Sequence, residues 1–159
     1  MAILIPKEEY MQAAIREALQ ARRNGDYAIG AVLVRGDKII ARSPNRTRSK
    51  KDPTRHAEIE VMRKGLAFSR ERFLKDCILY TTHEPCPMCS TAAVWVKLKG
   101  VVYGSTLDDM IEYSQAHGNK KWAWRTVGIS STDVFKKGTP RVQLVGGFLR
   151  KECVKLFYS

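Results

Sequence analysis

The sequence contains no uninterrupted apolar run of the roughly 18 residues that a membrane-spanning helix needs, which excludes a transmembrane segment. Its opening apolar run, Met1–Ile5, is broken by Pro6 and is too short for the hydrophobic region of a secretion signal. Four cysteines in 159 residues are too few for a disulfide-stabilised secreted scaffold. These absences predict a cytoplasmic protein that does not bind a membrane.

Acidic residues are scarce relative to basic ones. The chain has 16 Asp and Glu against 28 Lys and Arg, which gives a formal net charge of +12 at pH 7. Such a charge is typical of proteins that bind polyanions, and it is equally compatible with a solvated surface that keeps a protein soluble. No internal repeat or low-complexity linker divides the chain, so we predict one domain over residues 1–159.

Hydrophobic spacing and turn residues predict alternating helices and strands. The order predicts an α/β fold, a three-layer domain with a mixed five-stranded sheet between helices, in which the first two strands are antiparallel and later pairs are parallel. The predicted elements are a helix from Pro6 to Arg22, strands Ile29–Val34 and Lys38–Ala41, a helix from Arg55 to Lys64 capped by Thr54 and ended by Gly65, a strand Cys77–Thr81, a helix from Pro87 to Leu98 ended by Gly100, a strand Val101–Tyr103, a helical turn Leu107–Tyr113, a strand Arg141–Val145 and a terminal helix Leu149–Tyr158. The segment from Ser114 to Thr139 carries no clear pattern and is a candidate functional loop or lid.

Two short motifs, His56-Ala57-Glu58 and Pro85-Cys86-Pro87-Met88-Cys89, fall at the starts of successive predicted helices. One imidazole and two thiolates supply three zinc ligands and leave the fourth tetrahedral position for water, as in catalytic sites. A carboxylate beside that water can carry its proton. The motifs therefore predict a catalytic Zn²⁺, one per chain, bound by His56, Cys86 and Cys89, with Glu58 as the proton shuttle. A structural zinc site with His83 as the fourth ligand is the alternative.

The pattern H-x-E followed by P-C-x-x-C resembles the signature of the cytidine deaminase-like zinc deaminase superfamily. Residues 52–59 and 79–89 are similar to the branch that contains bacterial guanine deaminases and tRNA adenosine deaminases. The resemblance extends from Tyr10 to Tyr158. It implies a homodimeric hydrolase of cyclic amidine C–N bonds, which removes an exocyclic amino group from a nucleobase or nucleoside, as in purine metabolism, and releases ammonia.

The resemblance also implies which residues contact the substrate. Asn45 matches the family's asparagine upstream of the histidine motif, which hydrogen-bonds the base or sugar, although an asparagine in a loop is also typical of a turn. Trp95 stands where guanine deaminases tend to carry tryptophan and tRNA deaminases histidine, which favours a free base or nucleoside, although tryptophans at helical spacing are often core residues. The other implied pocket residues are Ile29 in the first-strand segment, the backbone of Ala57, and the Glu84-Pro85 turn.

Two alternatives to a small-molecule deaminase remain open. A tRNA adenosine-to-inosine deaminase is favoured by basic residues just before His56, which can meet phosphates, and by tryptophans that can stack an unpaired base. A nucleic-acid-binding module with structural zinc is the alternative of another class. Asp108 and Asp109 either read an amino-bearing ring edge or cap the helix that follows. The basic residues that favour the tRNA alternative form the basic loop, Arg46, Arg48, Lys50, Lys51 and Arg55. The tryptophans belong to the group Lys120, Lys121, Trp122, Trp124 and Arg125.

Overall fold

The computed structural model describes residues 2–118 and 126–158. It contains a mixed five-stranded sheet with helices packed on both faces, as the sequence predicts. Within the described residues the elements are α1 (Glu8–Arg23), β1 (Gly30–Arg35), β2 (Lys38–Pro44), α2 (Ala57–Ser69), β3 (Cys77–His83), α3 (Pro87–Trp95), β4 (Gly100–Ser105), α4 (Leu107–His117), α5 (Ser131–Lys137), β5 (Gln143–Val145) and α6 (Arg150–Lys155), followed by a 3-10 turn at Leu156–Tyr158. None of the helices described is both long enough and apolar enough to cross a membrane.

The strands lie in the order β2-β1-β3-β4-β5. Strand β1 runs antiparallel to β2 and β3, whereas β4 runs parallel to β3 and β5. The predicted antiparallel pair β1–β2 and the parallel pairs β3–β4 and β4–β5 are therefore confirmed, whereas the antiparallel pairing of β1 with β3 was not predicted. Because β3 and β4 are parallel, their carboxyl ends meet at one edge of the sheet, and ligands of such sheets bind at that edge.

Alternate residues of each strand face opposite sides of the sheet, so the core has two layers. Leu33 and Leu79 pack with α2, α3 and α5 on one face. Val32 and Tyr80 pack with α1 and α6 on the other. Both faces are covered, which explains why the central strands read as nearly continuous apolar runs.

The predicted ends of two helices were wrong. Helix α2 begins after His56, not Thr54, and continues through Gly65 to Ser69. A Cβ atom at Gly65 would lie 2.3 Å from Cδ2 of Leu33, so this glycine permits close helix–strand packing and does not end the helix. Helix α3 ends at Trp95, three residues before Leu98, because Lys97 adopts the left-handed conformation with φ of 61°.

The segment from Ser114 to Thr139 is partly helical where it is described. Helix α4 extends from Leu107 to His117, beyond the predicted single turn, and α5 occupies Ser131–Lys137. The group Lys120, Lys121, Trp122, Trp124 and Arg125 lies outside the described residues. Its predicted role in base stacking therefore stays a prediction.

Candidate active site

The first turns of α2 and α3 bring one imidazole and two thiols together. His56 is the residue before α2, Cys86 is the residue before α3, and Cys89 lies in the first turn of α3. Nδ1 of His56 is 3.6 Å from Sγ of Cys86 and 3.5 Å from Sγ of Cys89. All three ligand atoms lie within 4.8 Å of one another.

These distances fit a zinc ion. Tetrahedral zinc with Zn–N bonds of about 2.0 Å and Zn–S bonds of about 2.3 Å places its nitrogen and sulfur ligands about 3.5 Å apart. The His56 ring also forms a hydrogen bond with the backbone of Pro53, the kind of contact that orients a metal-bound histidine. The three residues predicted from sequence thus form a zinc-binding triad, consistent with one Zn²⁺ per chain.

The two thiols differ in their environments. A hydrogen bond from Cys89, supported by His56, lowers the pKa of Cys86 to about 4 despite partial burial. Burial raises the pKa of Cys89 well above its ordinary value. These opposite directions favour the thiolate form at Cys86 and the thiol form at Cys89. Since metal ligation deprotonates thiols, binding of zinc is expected to release a proton from Cys89.

Glu58 lies in the first turn of α2 and is 3% exposed. Its Oε1 accepts a hydrogen bond from Oγ1 of Thr81 at 3.0 Å, and its Oε2 lies 3.8 Å from Sγ of Cys89. Burial is the main cause that raises the pKa of Glu58. A carboxyl group with a raised pKa beside a metal site is suited to taking up and returning a proton near neutral pH.

Thr81 was missed by the sequence analysis, although a polar residue within a buried strand is a usable signal. Its hydroxyl is 3.0 Å from Oε1 of Glu58 and 3.2 Å from the carbonyl oxygen of His83. The hydroxyl can donate to the ionised carboxylate. When Glu58 is protonated, the hydroxyl can accept from it and donate to the carbonyl. Thr81 thus serves both protonation states of Glu58.

His83 lines the cavity beside the metal site but is not one of the ligands. Its Nδ1 lies 2.9 Å from Oγ of Ser105. Burial lowers the pKa of His83 to about 4, so its ring is neutral at pH 7. In the described parts of the chain, the side-chain group able to hold a metal ion comprises His56, Cys86 and Cys89 without His83. The alternative of a four-ligand structural site is therefore not supported.

A cavity of about 330 Å³ reaches the metal site at His56 and Cys86, and Glu58 forms part of its wall. The loop before α2 and the start of β1 supply one side. The far wall comes from α4 and from the chain just before α5. The near side is formed by Tyr27, Ile29, Asn45, Thr47 and Pro53, and the far wall by Leu107, Met110, Thr126, Val127 and Ile129.

Asn45 is both a turn residue and a cavity residue. It is 3% exposed, and its Oδ1 accepts a hydrogen bond from the backbone N–H of Thr47 at 2.9 Å. That bond commits the amide oxygen to the loop. The Nδ2 group has no hydrogen-bond partner among residues 2–118 and 126–158 and is the donor that the side chain offers to a ligand.

The other predicted substrate residues divide into two groups. Ile29, Glu84 and Pro85 line the cavity. Ala57 is fully buried at the start of α2 and is not part of the lining. Trp95 is 74% exposed at the end of α3 and is also absent from the lining, because six residues along a helix turn its side chain about 120° away from that of Cys89.

Of the two aspartates that follow β4, Asp109 caps α4. Thr106 and Asp109 form a reciprocal capping box, and the Asp109 carboxylate also pairs with Arg150. Asp108 is exposed, and neither aspartate lines the cavity. The interpretation of Asp109 as a helix cap is the one that the structure supports.

The basic loop flanks the cavity. Arg48, Lys50 and Lys51 are exposed, while Asn45, Thr47 and Pro53 of the same loop line the cavity. The buried carboxylate of Asp26 accepts the backbone N–H groups of Arg48 and Ser49, which fixes the loop to the end of α1. Arg55 pairs with Asp52 and Glu60 and is not available as a free cation.

Comparison with known proteins gives one consistent family. A family model described as the cytidine and deoxycytidylate deaminase zinc-binding region matches residues 5–105. The chain is 30% identical over 146 residues to a probable cytosine deaminase of Schizosaccharomyces pombe, covering 91% of this chain and 86% of that protein. It is 38% identical over 108 residues to a guanine deaminase of Bacillus subtilis, covering 66% of this chain and 68% of that protein.

Among solved structures, one from a study of A-to-I editing by tRNA:A34 deaminases superposes with a TM-score of 0.77 at 29% sequence identity. The match covers 94% of this chain and 99% of that chain. It therefore includes the region beyond residue 105, which the family model does not reach.

Proposed function

The chain belongs to the cytidine and deoxycytidylate deaminase zinc-binding family, and we propose that its substrate within that family is a free nucleobase or nucleoside. It replaces an exocyclic amino group of the ring by oxygen and releases ammonia. The observation that carries this proposal is the cavity of about 330 Å³ whose wall includes Glu58, Asn45 and two of the zinc ligands, His56 and Cys86. Its volume is at the small end of the range of about 300–1,000 Å³ found for ligand pockets.

His56, Cys86 and Cys89 hold the zinc ion, and its chemistry, when bound, is to polarise a water molecule and lower the pKa of that water to about 7. Glu58 takes up the proton at its carboxylate and returns it to the ring nitrogen beside the reacting carbon. The second proton of the same water goes through Glu58 to the amino group, the C–N bond breaks and ammonia leaves, while the ring carbon keeps the oxygen. Thr81 stabilises each protonation state of Glu58 in turn.

Asn45 orients the ring. Its Nδ2 group donates to an acceptor on the substrate, such as a ring nitrogen, a carbonyl or a sugar hydroxyl. Ile29, Met110 and Val127 supply apolar surface for the ring and exclude water from it. The neutral His83 adds no positive charge to the cavity. A base with its acceptor at Asn45 and its amino-bearing carbon near Glu58 fits this arrangement.

The second candidate is adenosine in tRNA. It is favoured by the exposed cations of the basic loop, Arg48, Lys50 and Lys51, beside the cavity. It is also supported by the similarity to the structure from the study of tRNA:A34 deaminases. An RNA substrate would present an unpaired base to the cavity while the loop contacts the neighbouring phosphates.

The remaining parts of the proposal follow the family resemblance. We propose a homodimer, a single domain over residues 1–159, a cytoplasmic location and a place in purine metabolism. The exposed Met88 and Trp95 on α3, 37% and 74% accessible, support a homodimer because a second copy could cover them. Sedimentation velocity of the purified protein tests the dimer, which predicts a mass of twice 18.0 kDa.

The substrate class is tested by ammonia release from the zinc-loaded protein. Guanine, cytosine, adenine, their nucleosides and an unmodified tRNA are compared as substrates at two salt concentrations. Turnover of a base or nucleoside with little dependence on salt supports the proposal. Turnover of tRNA alone, falling steeply with salt, supports the second candidate.

A further inference from the structure

Glu84 is the first residue after β3, and its buried carboxylate joins two distant parts of the chain. Its Oε2 accepts the backbone N–H of Leu107 at 2.8 Å. Its Oε1 accepts the backbone N–H of Ser131 at 2.9 Å and the hydroxyl of Ser131 at 3.0 Å. Both oxygens are therefore occupied by donors that lie 23 and 47 residues away along the sequence.

The two partners are the first residues of two helices. Leu107 begins α4 and Ser131 begins α5. The far wall of the cavity is built from these helices' starts and the chain next to them, including Met110, Val127 and Ile129. On its other side, Glu84 is separated from Cys86 by Pro85 alone. The Glu84 side chain thus connects the turn that carries Cys86, here called the zinc-binding turn, to the starts of α4 and α5 in the opposite wall.

A carboxylate is the side chain that this position requires. Ionised glutamate only accepts hydrogen bonds, through two equivalent oxygens, and here it accepts three. Glutamine has the same shape but presents an NH₂ group in place of one oxygen. That group would face a backbone N–H, so one of the two helix starts would lose its acceptor.

We propose that Glu84 is a positioning residue that fixes the far wall at its distance from the zinc-binding turn and thereby sets how well the substrate ring fits. The role rests on the proposed function, because the fit is measured with a substrate. It differs from the role in lining the pocket that sequence resemblance implies, since the carboxylate acts here through Leu107 and Ser131.

The test compares Glu84→Gln with the wild-type protein. We expect zinc content to stay at the wild-type value, KM to rise about tenfold and kcat to change much less, because a lost hydrogen bond to a charged group weakens the fit without removing Glu58 or the metal. Hydrogen exchange should become faster at the amides of residues 107–110 and 131–135, without added substrate. Unchanged KM and unchanged exchange would overturn the proposal.

Ser130→Ala is the matched control. Ser130 caps α5 by accepting the N–H of Asp133 at 3.1 Å, and its hydroxyl is not among the described groups that donate to Glu84. This variant weakens α5 but leaves the Glu84 contacts in place, so KM should stay at the wild-type value. An equal rise in KM for an equal loss of thermal stability would show that any weakening of α5 acts in the same way, and would overturn the specific role of Glu84.

Ser131→Ala keeps the proposal testable if Glu84→Gln does not fold. It removes the hydroxyl contact and keeps the backbone N–H, so an intermediate rise in KM is expected, and no rise in KM would contradict the proposal.

Hydrogen exchange, measured without substrate, distinguishes failure of the proposed function from failure of the positioning role of Glu84. If the wild-type protein turned over no base, nucleoside or tRNA, the proposed function would fail, while faster exchange in the Glu84 variant alone would still support anchoring of the wall.

Discussion

The hydroxyl of Thr81 donates a hydrogen bond of 3.0 Å to the carboxylate of Glu58, joining the centre of β3 to the first turn of α2. The bond favours the ionised form of a carboxyl group that burial pushes towards the neutral form. The bond from Thr81 therefore opposes part of the rise in the pKa of Glu58 that burial causes.

Replacing Thr81 by valine should slow the reaction without removing zinc. Loss of the donor raises the pKa of Glu58, so the acidic limb of the kcat/KM profile should move to higher pH, and kcat near neutral pH should fall about tenfold. Thr82→Val is the matched control, since Thr82 is equally buried in β3 and its hydroxyl accepts the N–H of Gly30 instead. A limb that moves equally in both variants would contradict the role of Thr81.

Asn45→Asp separates the two functions of Asn45. The carboxylate can still accept the N–H of Thr47, so the loop should keep its conformation, but the donor offered to the substrate is lost. We expect kcat/KM to fall by about 100-fold or more, because a site built to donate a hydrogen bond is left with an acceptor. Steady-state kinetics checks this, with thermal unfolding as the test of the loop. A variant with normal kcat/KM would remove Asn45 from substrate binding.

Cys86→Ser should reduce the zinc content from one ion per chain towards zero. The variant loses the thiolate with the lowered pKa, which supplies negative charge to the triad. Cys153→Ala is the control, because Cys153 is a buried cysteine on the opposite face of the sheet. Elemental analysis of both proteins decides the matter. Equal zinc loss from the two variants would contradict the assignment of the triad.

The ion pair between Asp109 and Arg150 makes a pH-dependent contribution to stability. Hydrogen bonds from Arg150, with the capping bond from Thr106, lower the pKa of Asp109 from 3.8 to about 2. A carboxyl group whose pKa is lower in the folded state stabilises the protein above the unfolded pKa and loses that effect as pH falls through the folded pKa.

Asp109→Asn should therefore lower Tm near pH 7 by about 2–4 °C, the effect of losing about 1 kcal/mol in a chain of this size. The Tm difference from wild type should shrink as pH falls from about 4 to about 2, where the wild-type carboxyl becomes protonated. Calorimetry over that range measures it. Asp108→Asn, at the exposed neighbouring position, should change Tm little at any pH. A Tm difference between wild type and Asp109→Asn that widened on acidification would contradict a lowered pKa of Asp109 in the folded state.

The basic loop offers a test that separates the two substrate classes. Neutralising Arg46, Arg48, Lys50 and Lys51 together should leave turnover of a free base unchanged within about twofold, because the cations act on phosphates at the cavity mouth and not on the ring. The same variant should lose most of any activity on tRNA. A large loss of free-base turnover, with zinc and stability retained, would show that these cations serve a small anionic substrate.

The sequence allowed the zinc triad and Glu58 to be predicted because their positions depend on local signals. His56 and Cys86 each precede a helix, and the spacing from His56 to Glu58 is two residues. What could not be predicted depends on contacts between distant parts of the chain. The bonds of Thr81 to Glu58 and of Glu84 to Leu107 each span 23 residues, and no local pattern marks them.

The fold shows the same division between local and distant effects. Short runs of apolar and β-branched residues predicted the strands of the sheet, and Pro87 marked the start of α3. Gly65 failed as a helix end because its role is set by Leu33 on the neighbouring strand, a contact that propensity does not include. Trp95 failed to reach the cavity because its face of α3 is fixed by how that helix packs.

The most direct test of the whole account is ammonia release by Glu58→Gln, measured beside zinc content and substrate binding. Glutamine keeps the size of the side chain and can still accept from Thr81, but it cannot take up and return a proton. We expect near-complete loss of turnover with one zinc ion retained and the substrate still bound. Turnover close to the wild-type rate, with zinc retained, would contradict the role of Glu58 as the proton shuttle and with it the proposed reaction.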